Sequence, residues 1–157
     1  MALPDRKRPA HPSPIERADR PILIFLTVCT RDRRPLLASP SAHELLLTAW
    51  QAADRWVVGH YIVMPDHIHL FCSPADRATR LRVWIEYWQW LVTRQWPVAS
   101  EKPLWQRDHW DTQLRTGQSY SAKWDYVRHN PVRAGLVSDP DEWPHQGQMS
   151  LLPWTER

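Results

Sequence analysis

The pattern of apolar and polar positions divides the chain into a polar leader, a series of short periodic elements and a proline-broken end. From Pro21 the run ILIFLTVCT is rich in branched and aromatic residues, which predicts a buried first strand ending at the polar turn RDRRP. SAHE at 41 to 44 has the form of a capping box, with Ser41 as N-cap and Glu44 three residues on, and predicts a helix through Leu45, Leu46, Ala49, Trp50 and Ala53. WVVGHYIVM and HIHLFC flank the break PD, so two strands pairing as a hairpin are expected. Within 77 to 96, Leu81, Trp84, Ile85, Trp88, Leu91 and Val92 recur at helical spacing as one apolar face. PLWQRDHWDTQLR predicts a short last strand, and SYSAKWDYVRHN a third helix stopped by Pro131. Residues 138 to 157 read as an irregular tail anchored by Trp143 and Trp154.

Strand, helix, hairpin, helix, strand, helix predicts an α+β domain with a mostly antiparallel sheet, one face covered by helices. Residues 1 to 19, with four prolines and the basic cluster Arg6, Lys7 and Arg8, read as a flexible arm, a disordered tail being favoured over a DNA-gripping one. The domain runs over 20 to 145, and 146 to 157 form the C-terminal tail.

At 157 residues the chain can close one core without disulfides or structural metals. Cys29 and Cys72 fall inside apolar stretches, which suits reduced, buried thiols in a cytosolic protein and argues against a cysteine-built zinc site. The longest apolar run is too short to span a bilayer, and the leader lacks the order of a signal peptide, so a soluble cytoplasmic protein is expected. Twenty Lys and Arg against 17 Asp and Glu give +3, a mild excess that permits a polyanionic partner without demanding one. Eleven tryptophans are the unusual feature, since each needs a core, a partner or a stacking surface.

Candidate chemistry starts at His67 and His69, two apart and therefore on one side of an extended chain, with Cα atoms roughly 7 Å apart. Both imidazoles can then reach one metal ion, although an arbitrary His-x-His more often hydrogen-bonds a neighbour or faces solvent. The third helix adds Tyr126, an aromatic set among Ser119, Ala122, Lys123 and Asn130, while Tyr120, Trp124 and Val127 occupy the apolar side. A phenol titrates at about 10, so a nucleophilic Tyr126 needs a cation such as Lys123 or a metal-polarised electrophile. Asn130 either completes a metal site through its carbonyl oxygen or, standing before Pro131, only terminates the helix. On the second helix Arg80, Tyr87, Trp90 and Arg94 interleave cations with aromatics, which suits stacked bases or, equally, packing under a loop. Arg115, Arg128 and Arg133 are candidate phosphate contacts or ordinary solvated arginines.

YIVMPDHIHLF followed much later by KWDYVRHNPVRAGLV resembles the REP-associated tyrosine transposases, single-tyrosine relatives of insertion-sequence transposases with a His-hydrophobic-His motif. The similarity runs from about Pro21 to Trp143. It implies a ferredoxin-like fold, a divalent ion (Mg2+ or Mn2+) on His67 and His69 with help from Asn130, and Tyr126 as the nucleophile that cleaves single-stranded DNA through a 5′-phosphotyrosine. The implied partner is a single-stranded DNA hairpin from a palindromic repeat, handled by a monomer or homodimer. Relatives often carry a histidine near Thr112 and a more basic second helix than this one. A competing expectation is a hairpin-binding protein of the same fold without turnover. A histidine-triad hydrolase is disfavoured, because Leu70, Phe71 and Cys72 follow where further histidines are needed.

Overall fold

The computed structural model describes residues 22–115 and 117–152, with the backbone alone at 117 and 118. The expected arm at 1 to 19 and the expected anchor Trp154 lie outside the described residues. In chain order the elements are β1 (Leu23–Thr30), α1 (Pro40–Ala52), β2 (Trp56–Val63), β3 (His67–Pro74), α2 (Leu81–Gln95), β4 (Trp105–Leu114), α3 (Gly117–Val127), α4 (Asn130–Arg133) and β5 (Gln146–Gln148). They form one five-stranded sheet in the order β4-β1-β3-β2-β5, and every pairing is antiparallel. The first six elements and the order of β1 to β4 are the ferredoxin-like arrangement.

Strand periodicity sorts the core into two layers. Ile24, Leu26 and Val28 of β1 and Ile68, Leu70 and Cys72 of β3 face α1 and α2, where Leu46, Trp50, Trp84, Ile85 and Trp88 close the larger cluster. The alternate residues Leu23, Phe25 and Phe71 face the other way and meet Val127, Tyr120 and Trp124 of the α3 region together with Trp143. The helix pair α1 and α2 thus covers one face as expected, and the opposite face is covered by α3 and the chain after it. Most tryptophans are explained by this packing. Trp88, fully buried, makes edge contacts with Trp50, Trp84 and Trp105 at ring-centroid distances of 5.8, 6.2 and 5.4 Å.

β2 changes parity in mid-strand. Val58 and Tyr61 both belong to the larger cluster although three positions apart, because the register with β3 shifts between them. The irregularity turns His60 toward α3, where its ring stacks on Trp124 at 4.6 Å and its Nδ1 meets the Tyr120 hydroxyl at 2.8 Å.

Several expected boundaries are corrected. The N-cap of α1 is Ser39, whose hydroxyl accepts from the Ala42 N–H, and not Ser41. Pro40 in the first turn explains the earlier start, since its fixed φ suits a helix and its missing N–H needs no partner there. Pro131 does not stop the third helix. α3 ends at Val127, and Pro131 sits in the first turn of the separate α4, which Asn130 begins. The tail is not irregular throughout: Trp143 is buried with its indole N–H on the Val63 carbonyl, and β5 then pairs with β2, so β4 is not the last strand.

Candidate functional site

β3 presents His67 and His69 on the face that α3 covers, in line with Phe71. Both are buried, and their rings meet edge to face with centroids 4.8 Å apart. Each Nδ1 has a partner within the fold. The Asp66 carboxylate accepts from His67 Nδ1–H at 2.8 Å, and Thr27 Oγ1 lies 2.8 Å from His69 Nδ1, its direct cross-strand neighbour on β1. Neither Nε2 has a hydrogen-bond partner among the described residues. A buried imidazole nitrogen without a partner is costly, and two on one face could together hold a metal ion. The carboxylate fixes the proton of His67 on Nδ1 and leaves Nε2 its lone pair. A proton on His69 Nδ1, donated to Thr27, does the same there.

Support extends one layer further. The turn after β1 takes left-handed φ values of 58° at Asp32 and 55° at Arg33, and Arg33 Nε donates to the second oxygen of Asp66 at 2.9 Å. Burial alone would raise the Asp66 carboxyl, but its hydrogen bonds and charge contacts with His67 and Arg33 outweigh that and hold it down at about 2. Burial pushes His69 well below its ordinary value, and the nearby His67 and Lys123 add to the effect, so His69 stays neutral.

α3 carries the rest of the site. Ser119, Ala122, Lys123 and Tyr126 line an open pocket of about 520 Å³ together with Phe25, Thr112 and Leu114. The Lys123 ammonium lies 4.8 Å from the centre of the Phe25 ring, and Phe25 itself stacks on His69 at 5.2 Å. Tyr126 is 48 % exposed, whereas Tyr120 and Trp124 on the other side of α3 pack against Phe71 and His60. The sequence-based division of this helix into an anchoring side and an outward side with Tyr126 matches the packing. Asn130 is fully buried; its Oδ1 accepts from the Arg133 guanidinium, and its Nδ2 has no partner among the described residues. No group of three or more His, Cys, Asp or Glu side chains among the described residues is arranged to hold a metal, so a metal here would rest on the two imidazoles and on donors of another kind.

The other candidate residues are dispersed. Tyr87 and Trp90 are exposed and stacked at 6.3 Å, with the Arg94 guanidinium 5.2 Å from the Trp90 ring. They project outward from α2, on the opposite side of the sheet from His67 and His69. Arg80, at the N-cap of α2, and Arg115, after β4, are exposed. Arg128 is paired with Asp141 at 3.0 Å, and Arg133 lies against Tyr126 and Asn130. Sequence reasoning missed Thr27, Asp66 and Arg33. The first two left a signal, a hydroxyl inside an apolar strand and an acid directly before the first histidine; Arg33 left none.

No family model matches the chain. A Haemophilus influenzae protein, "Putative REP-associated tyrosine transposase", is 26% identical over 141 residues, spanning 78% of this chain and 77% of that protein. The REP-associated tyrosine transposase of Escherichia coli is 27% identical over 125 residues, spanning 76% and 72%. A solved REP-associated tyrosine transposase bound to a REP hairpin shares the fold with a TM-score of 0.69 at 23% identity, covering 85% of this chain and 81% of that one. The chain resembles the REP-associated tyrosine transposases along most of its length. Among the described residues no helix is long and apolar enough to cross a membrane.

Proposed function

We propose that this protein is a metal-dependent endonuclease and strand transferase acting on single-stranded DNA hairpins from palindromic repeats, with Tyr126 as nucleophile. The observation that carries the reading is the pair of buried imidazoles whose Nδ1 atoms are engaged and whose Nε2 atoms have no partner among the described residues. The similarity to REP-associated tyrosine transposases, one of them bound to a REP hairpin, supports it.

In this reading Mg2+ or Mn2+ would be held by His67 and His69, with Asn130 adding its Oδ1, a carbonyl oxygen with two lone pairs of the kind such hard ions favour. When bound, the ion supplies Lewis acidity toward a phosphodiester oxygen. Tyr126, exposed at the rim of the pocket, gives up its phenolic proton to water and attacks phosphorus. The Oη–P bond forms as the P–O3′ bond breaks, and the departing oxygen takes a proton to become a free 3′ hydroxyl. Lys123, lining the same pocket, places a cation where negative charge gathers. The phosphotyrosine keeps the phosphodiester energy, so the 3′ hydroxyl can attack back and join strands without ATP.

The test is covalent capture. Protein is incubated with labelled hairpins from repeats beside its own gene, with Mg2+ or Mn2+, and run on a denaturing gel. A protein–DNA adduct that disappears with EDTA, with His67→Ala and with Tyr126→Phe is expected, while Tyr126→Phe still binds the hairpin. Normal adduct formation by Tyr126→Phe would overturn the assignment. Hairpin binding with no adduct from wild-type protein would favour a non-catalytic hairpin binder, a reading to which the engagement of Asn130 Oδ1 by Arg133 lends some weight.

A further inference from the structure

Arg133 is exposed, yet its guanidinium makes three contacts with the proposed machinery. Its central carbon lies 4.0 Å from the centre of the Tyr126 ring, and its NH2 donates both to the Tyr126 carbonyl and to Asn130 Oδ1. The local fold explains the reach. α3 stops at Val127, and the single turn of α4 places Arg133 three residues beyond Asn130, on the same side, so that a planar fork can span from the amide back to the phenol.

We infer that Arg133 is a positioning residue that holds the Tyr126 ring and fixes which end of the Asn130 amide is presented, instead of a phosphate contact on the DNA. The inference rests on the assignment of Tyr126 as nucleophile. The Tyr126 side chain is half exposed, and among the described residues its ring is stacked against this guanidinium. An unrestrained ring would spend most of its time away from an attacking geometry. Among the described residues the Asn130 Nδ2 has no partner while Oδ1 does, so the amide's orientation is set from the Arg133 side. Lysine can supply the charge but not the planar fork that meets a ring face, a backbone carbonyl and an amide oxygen together.

The test compares wild type, Arg133→Lys and Arg133→Ala in single-turnover adduct formation, beside hairpin affinity measured over a range of salt concentrations. Positioning predicts that both substitutions slow adduct formation on the order of 10²-fold, with hairpin affinity and its salt dependence nearly unchanged. A phosphate contact predicts the reverse: Arg133→Lys retains the rate, and Arg133→Ala weakens binding and reduces the salt slope by about 1. That outcome would overturn the inference and leave the function standing. Should Arg133→Ala fail to fold, Arg133→Lys decides alone. A readout independent of turnover is the ring-current shift that the Tyr126 ring imposes on Arg133 side-chain protons in NMR spectra. It is present in wild type and Tyr126→Phe and lost in Tyr126→Leu, and its absence from wild type would also overturn the inference. No adduct from wild type, with the ring-current shift intact, would instead sink the nucleophile assignment and the catalytic purpose of the contact with it.

Discussion

Thr27 stands between Leu26 and Val28 in a strand that is otherwise almost wholly apolar, and its hydroxyl meets His69 Nδ1 at 2.8 Å. Removing it with the near-isosteric Thr27→Val leaves a buried nitrogen without a partner, at a cost of about 1–3 kcal/mol. The same loss frees the ring to rotate and to change tautomer, so affinity for Mn2+ should fall about 10–100-fold. Titration of metal-free protein with Mn2+, alongside thermal melting, measures both. Wild-type affinity in Thr27→Val would show that the Thr27 contact does not serve the metal. Both histidines were legible in the sequence because their spacing alone puts them on one face. The partners were not, because a threonine 42 residues away becomes a neighbour only through the antiparallel register of β1 and β3.

At the scale of elements, the irregularity in β2 links the sheet to the helix that carries Tyr126. Gly59 sits within it, and a Cβ added there would lie 2.8 Å from Leu152 and 2.8 Å from the Tyr120 hydroxyl. The leucine tip can yield, but the Tyr120 oxygen is held by the His60 N–H and Nδ1. Gly59→Ala should therefore destabilise the protein by about 1–3 kcal/mol and loosen the Tyr120 side of α3. Denaturant midpoints and amide exchange along α3 test this, and unchanged protection of α3 would contradict it. The helices and strands themselves were readable from period 3.6 and period 2. Their ends were less so: Ser39 rather than Ser41 caps α1, and α3 breaks before Pro131, because capping depends on local φ and ψ that residue type only biases.

Over the whole molecule, acid should weaken the fold in a defined window. Burial lowers His43, with His145 adding to the effect, and lowers His60 and His145; His69 is pushed down further. In the unfolded chain these imidazoles titrate at about 6.5. Below that value the unfolded state binds protons that the folded state resists, so the associated stability is full above 6.5 and is lost as pH falls through the folded values. Asp66, held at about 2, adds a second loss that begins below its ordinary 3.8. Urea midpoints should decline as pH falls from about 6.5 to 5 and fall again in stronger acid. A midpoint that rises on acidification to pH 5 would contradict these burials. His43, His60, His69 and His145 reach both layers of the sheet, so the loss belongs to the molecule and not to the site alone.

The sequence by itself determined the α+β class, the existence of β1 to β4 and of α1 to α3, the shared face of His67 and His69, and the division of α3 between anchoring residues and the side with Tyr126. Those follow from local periodicity, which a chain expresses wherever its neighbours are. Only the tertiary structure decided that Thr27 and Asp66 hold the two imidazoles, that α3 lies over the histidine face, that Trp90 and Arg94 point away from it, and that Arg133 turns back onto Tyr126 and Asn130. Each depends on strand register or on the path of a turn, contacts between residues that are distant in sequence or reversed in direction, and no pattern along the chain encodes them singly.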